Sequence, residues 1–110
     1  MKLTKKTFDE LLLEAIDEAL ASLGESAKQS IYFHLQNKFK VSKTEIPNHI
    51  KEFAEGLEKI FGVGAQFLEI LIMKKLYERI GKPLEWSEDK EFIFVNYVDA
   101  ARQSFRKASR

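Results

Sequence analysis

Apolar residues in the first part of the chain recur at Phe8, Leu11, Leu12, Ala15, Ile16, Ala19, Leu20 and Leu23. This is the i, i+3, i+4 rhythm of one buried helical stripe, and Asp9, Glu10, Glu14, Asp17 and Glu18 occupy the rest of the cylinder. Thr7 and Glu10 have capping-box spacing, in which the hydroxyl accepts one orphan backbone N–H and the carboxylate another. Gly24 is the expected stop. Such carboxylates, opposite the apolar stripe, are expected to be simply solvated.

A second helix is expected over 25–39, with Ile31, Tyr32, Leu35 and Phe39 on one face and Ser26 with Gln29 as a second capping pair. Ser42 and Glu45 repeat the capping spacing, but Pro47 pushes Ile46 out of helical geometry. About one helical turn at 42–46 is therefore expected, with a new start near Asn48. From 49 to 61, Ile50, Phe53, Ala54, Leu57, Ile60 and Phe61 form one face, and Gly62 should end that helix.

The next segment, 65–80, is different. Phe67, Leu68, Ile70, Leu71, Ile72, Met73, Leu76, Tyr77 and Ile80 wrap most of the circumference, which marks a central helix or one at an interface. Gly81 and Pro83 close it. Ser87 can cap a last helix, with Glu88 and Asp89 at the positive end of its dipole. Phe92, Ile93, Phe94 and Val95 then run without a polar break, followed by Tyr97, Val98, Ala100, Ala101 and Phe105. A strand is conceivable there on propensity, but the alanines and the acidic start favour a helix.

The fold class is therefore all-α, a compact bundle of about five main helices plus one short helical turn. With 110 residues, 45% hydrophobic and 32% charged, one domain over 1–110 is sufficient, with 1–6 and 106–110 as frayed tails. The most apolar stretch, 67–73, is interrupted by Glu69, so neither a membrane span nor a leader is read from the chain. The absence of cysteine excludes disulfides and thiolate metal sites and fits a cytoplasmic location.

Net charge is only +1, but seven of the 18 basic residues sit in 1–6 and 102–110, leaving 11 basic against 17 acidic residues between them. An acidic body with basic ends argues against a dedicated nucleic-acid surface.

Leu23-Gly24-Glu25-Ser26 leads into Ile31-Tyr32-Phe33-His34-Leu35. Ile46-Pro47, Phe53, Leu57-Glu58-Lys59-Ile60-Phe61-Gly62, Gly64-Ala65 and Leu68-Glu69 follow. Over roughly 8–81 this order of segments resembles the Nitrosopumilus output domain family (the fifth so named), a small archaeal domain found alone or at the ends of multidomain signalling proteins. The resemblance implies an archaeal cytoplasmic protein with a signalling or regulatory role. It implies no catalytic residue, because the matching positions are core and turn positions.

Catalytic motifs are lacking. His34 and His49 lie on different segments without a metal-binding spacing, and His34, beside the apolar stripe, is expected to be packed and hydrogen-bonded. No serine lies in a GxSxG elbow, and Gly62-Val63-Gly64 lacks the lysine and strand of a phosphate loop. No cofactor is expected. The reading is a non-enzymatic interaction module, its partner a second copy or another protein rather than a membrane. The candidate surface is Phe92, Ile93, Phe94, Val95, Tyr97 and Val98, whose excess hydrophobicity means either deep burial or dimerisation. Two alternatives remain. One is a degenerate helix-turn-helix over 28–51 with Lys38, Lys40, Lys43 and Lys51 near DNA, though Pro47 interrupts the recognition helix. The other is a small-ligand pocket inside the bundle, around Tyr32, His34 and Tyr77.

Overall fold

In a computed structural model, residues 6–81 and 93–108 are described, and they form five α-helices and two 3-10 turns. The α-helices are α1 (Phe8–Ala21), α2 (Glu25–Phe39), α3 (Ile50–Phe61), α4 (Ala65–Ile80) and α5 (Phe94–Ala108). The 3-10 turns, Lys43–Asn48 and Gly62–Gly64, join α2 to α3 and α3 to α4. Among the described residues there is no strand, and no helix is long and apolar enough to cross a membrane. Pro83, Ser87 and Phe92, and with them the expected cap of the last helix, lie outside the described residues.

The cap of α1 forms as its spacing requires. Thr7 Oγ1 accepts the Glu10 N–H at 3.1 Å, and the Thr7 N–H donates to Glu10 Oε1 at 2.8 Å. Thr7→Ala is expected to cost about 1 kcal/mol in a urea titration, the usual worth of such a cap. The other two capping pairs do not form. Helix α2 starts directly after Gly24, whose φ of 107° only glycine adopts easily. That early start places Ser26 inside the first turn, on the outer surface, rather than at the cap. Gly24 therefore opens α2, whereas α1 has already stopped at Ala21. At Ser42 the hydroxyl makes no cap, and its carbonyl instead accepts the Glu45 N–H at 2.9 Å. The 3-10 turn it opens runs six residues and contains Pro47, longer than the single turn expected.

Helix α2 ends on Lys40, a non-glycine residue at φ 59°. The Val41 N–H reaches back to the Leu35 carbonyl at 3.1 Å, and the Val41 side chain is buried, so a Schellman-type closure offsets the left-handed strain.

The helices α1, α2, α3 and α4 each pack on the next, and α4 packs on α1, closing a ring around one core. Phe53, Leu12, Ile16, Leu20, Leu35, Ile46, Leu57, Ile72, Met73 and Leu76 are fully enclosed within it. Each such side chain contributes about 1.5–3 kcal/mol of transfer free energy. Helix α4 is the central helix its all-round apolar character suggested, touching α1, α3 and α5. Its seam with α1 is antiparallel, because Lys75 reaches Glu18 at 3.1 Å while Arg79, one turn on, reaches back to Glu14 at 3.3 Å.

Helix α5 lies across one end of the ring. Its Phe94 meets Phe53 with ring centroids 6.1 Å apart, and its Phe105 meets Phe8 at 5.9 Å. Arg102 ties the helix down, bonding Asp9 at 3.1 Å and the Pro47 carbonyl at 3.0 Å over the face of Phe8. The tail expected to fray from 106 is helical as far as Ala108.

Candidate functional site

The residues expected from sequence to form an interaction surface divide between the core and the exterior. Phe94 and Val98 belong to the core, with 3% and 0% of their surface exposed. Val95 and Tyr97 are half-buried, Ile93 is 44% exposed, and Phe92 lies outside the described residues. The apolar run looked continuous, yet within a helix Phe94, Val98, Ala101 and Phe105 recur at helical spacing on one face and point inward. Deep burial accounts for that face of α5.

The four candidate nucleic-acid lysines have different surroundings. All four are exposed, and Lys43 also contacts the protein itself. It pairs with Asp17 at 3.1 Å and lies 5.0 Å from the centre of the Tyr32 ring. Helix α3, which follows the turn, exposes Lys51, Glu52, Glu55, Glu58 and Lys59, a net acidic face that repels a phosphate backbone.

The residues proposed for an internal pocket are also separated. The Tyr32 hydroxyl donates to Asp17 on α1 at 3.0 Å, and the Tyr77 hydroxyl donates to the Tyr97 carbonyl on α5 at 3.3 Å. His34 is exposed rather than packed, edge-on to Phe33 with centroids 6.3 Å apart. The α2 stripe turns away from it, which leaves His34 on the exposed side of the helix. His49, also exposed, sits 3.7 Å from Glu45 and 3.8 Å from Glu52. Among the described residues no three histidine or acidic side chains are grouped to hold a metal ion.

Two polar groups carry more of the structure than their pattern suggested. Asp17, expected to be a solvated residue, is the junction of three elements, accepting from Lys28 of α2 at 3.1 Å, from Tyr32, and from Lys43 of the 3-10 turn. Burial pushes its carboxyl upward, but these three partners outweigh it and hold it below the ordinary range. Burial, and then Asp17 itself, raise the Tyr32 phenol, which stays protonated as the donor. Beside this junction, Glu14, Asp17, Glu18, Lys43 and Arg79 line an open cleft whose charges are paired with one another.

Glu69 is the second such group. It lies on the core face of α4 with 6% of its surface exposed, and its Oε2 has no hydrogen-bond partner among the described residues. Burial, and secondarily the nearby Glu58 carboxylate, push its carboxyl up to about 7. Glu69 occupies an i+4 position from Ala65 and i−4 from Met73, both buried, so its place on the core stripe was available from the spacing.

The surface that stands out lies on α2. The helix buries Ile31 and Leu35, and on the opposite side Phe33 is 66% exposed. At 100° per residue, Ser26, Gln29, Ser30, Phe33, Gln36 and Asn37 share an outward arc of about 120°. All six are uncharged and all except Phe33 are polar; every one is exposed. In a chain that is 32% charged, this is a face cleared of charge around a single aromatic. An open depression runs along it between Gln29, Ser30, Tyr32, Phe33 and Gln36. The sequence held the signal, because Phe33 is out of phase with Ile31, Leu35 and Phe39 and so has no place in the core. Val63 and Phe67, 97% and 80% exposed beside the α3–α4 turn, form a smaller apolar pair.

Comparison with family models, with curated proteins and with solved structures finds no match.

Proposed function

We propose that this chain is a non-enzymatic helical interaction module that acts through protein–protein contacts made by the outer face of α2. The observation that carries the reading is the exposed Phe33 at the centre of an uncharged polar face. Interface centres are depleted of charge and enriched in aromatic residues, and one well-placed aromatic often supplies much of the binding energy. The resemblance to the Nitrosopumilus output domain supports a place in archaeal signalling in the cytoplasm, with the module as the part that contacts the next component.

The two alternatives have less support. DNA binding through 28–51 has to overcome the acidic face of α3 and the engagement of Lys43 with Asp17. A ligand site around Tyr32, His34 and Tyr77 lacks convergence, since the two hydroxyls are bonded to different helices.

The test is photo-crosslinking in cells that produce the protein at its native level. A photoreactive phenylalanine analogue at position 33 is expected to give discrete covalent adducts, identifiable by mass spectrometry. The same analogue at Glu55, on the charged face of α3, should give none. No adduct from position 33, with the protein folded and abundant, overturns the reading.

A further inference from the structure

Resting on that reading, we infer that one occupant of the α2 face is a second copy of the chain, with the two α2 helices packed antiparallel across a two-fold axis at Phe33. The spacing along α2 is symmetric about Phe33. Gln29 and Ser30 precede Phe33 by four and three residues, and Gln36 and Asn37 follow it by three and four. These positions are nearest neighbours on a helix surface, so the face has the same layout read in either direction from Phe33.

A two-fold axis through Phe33 sets Gln29 opposite the partner's Asn37, Ser30 opposite the partner's Gln36, and each phenylalanine beside its mate. Amide and hydroxyl groups both donate and accept hydrogen bonds, so such a face can satisfy itself. The Gln29 amide nitrogen already donates to Glu25 at 3.0 Å, which leaves its carbonyl oxygen as the acceptor for the partner's Asn37. A charged face would repel its own copy, and the absence of charge from these six positions removes that obstacle.

The ends of α2 complete the match. Glu25 stands in its first turn, where Lys28 and Gln29 bond it, and Lys40 stands just beyond its last, its Nζ donating to the Asn37 carbonyl at 3.4 Å. Antiparallel packing brings the acidic start of one helix beside the basic end of the other and sets the two helix dipoles antiparallel. These pairings are complementary in an antiparallel pair, whereas a parallel pair sets like charge on like. One helix pair is a small interface, so the dimer should be reversible and form at micromolar concentrations or above.

The chain contains no cysteine, which gives a direct test. Phe33→Cys, on the axis, is expected to oxidise to a disulfide-linked dimer at least ten times faster than Glu55→Cys on the exposed face of α3. Sedimentation equilibrium of the unaltered chain should show a reversible monomer–dimer equilibrium. Phe33→Glu should weaken that dimer at least tenfold while leaving its helical circular dichroism unchanged. A strict monomer at millimolar concentration overturns the inference. So does a dimer indifferent to Phe33→Glu, or equal oxidation of the two cysteine variants. Should adducts in cells come only from other proteins while the chain stays monomeric, the interaction reading stands and the two-fold pairing falls.

Discussion

Glu69→Gln is expected to stabilise the fold at pH 8 by about 2 kcal/mol, and to remove a pH dependence that the unaltered chain shows between pH 5 and 8. The carboxyl is enclosed on the core face of α4 with one oxygen unpartnered among the described residues, and burial with Glu58 raises it from 4.5 to about 7. Between those values the folded chain holds a proton that the unfolded chain has released. Stability therefore falls as pH rises through that window. At about 1.4 kcal/mol per pH unit, the whole rise amounts to about 3 kcal/mol of lost stability by pH 8. Glutamine has nearly the same shape and no charge to bury. Its amide still lacks a full set of partners, so the recovery is smaller than the full amount.

Other carboxyls act in the opposite direction. Glu14 is lowered first by its bond to Lys6, and Glu18 first by its bond to Arg79. Asp17 is lowered despite burial. Their contribution is present above the ordinary carboxylate range and is lost as pH falls through it. The two tendencies together place maximum stability near pH 5. Urea titrations of both chains from pH 4 to 8 isolate Glu69 in their difference. Parallel pH profiles for the two chains would refute the assignment.

Gly56→Val is expected to destabilise the protein by about 3 kcal/mol, against a helix-propensity gain of a few tenths. Gly56 sits in the middle of α3, buried where α2 crosses. A Cβ added there would fall 2.5 Å from Leu35 Cδ2 and 3.3 Å from Phe39 Cδ2. Leu35 is fully enclosed, so its methyl group has nowhere to retreat without moving its neighbours. The expected result is a lowered urea midpoint with an unchanged slope. Gly56→Ala should fall between, because its smaller overlap is partly offset by a propensity gain of about 1 kcal/mol. A valine variant as stable as the parent would show that α2 and α3 are not in close contact at this point.

That close approach shows where the sequence was readable and where it was not. Helix periodicity placed α1, α2, α3 and α4 to within a residue or two, because each has an apolar stripe or a glycine at its boundary. It placed the cap at Thr7 because both halves of the box lie within four residues. The failures at Ser26 and Ser42 share a cause, since a side-chain cap forms only if the backbone turns at that residue. At Gly24 and at the 3-10 turn the backbone turned elsewhere. Gly56 was a mid-helix glycine that could have announced a neighbouring backbone or side chain, but its meaning depends on α2, twenty residues away.

The candidate surface was harder to read for a related reason. Phe92, Ile93, Phe94 and Val95 are consecutive, yet consecutive residues on a helix point in different directions. Phe33 is a single residue, and its significance comes from the absence of charge at positions three and four away. Asp17 belongs to the same class, since nothing in its local pattern announces Lys28, Tyr32 and Lys43 as partners.

The tilted contact of Phe8 with Phe105, with Arg102 held to Asp9, brings the opening turn of the first helix beside the closing turn of the last. The fold is thus a clasp rather than a spacer. A pull applied to both of these turns would peel α5 from its seat one contact at a time instead of loading the whole ring together.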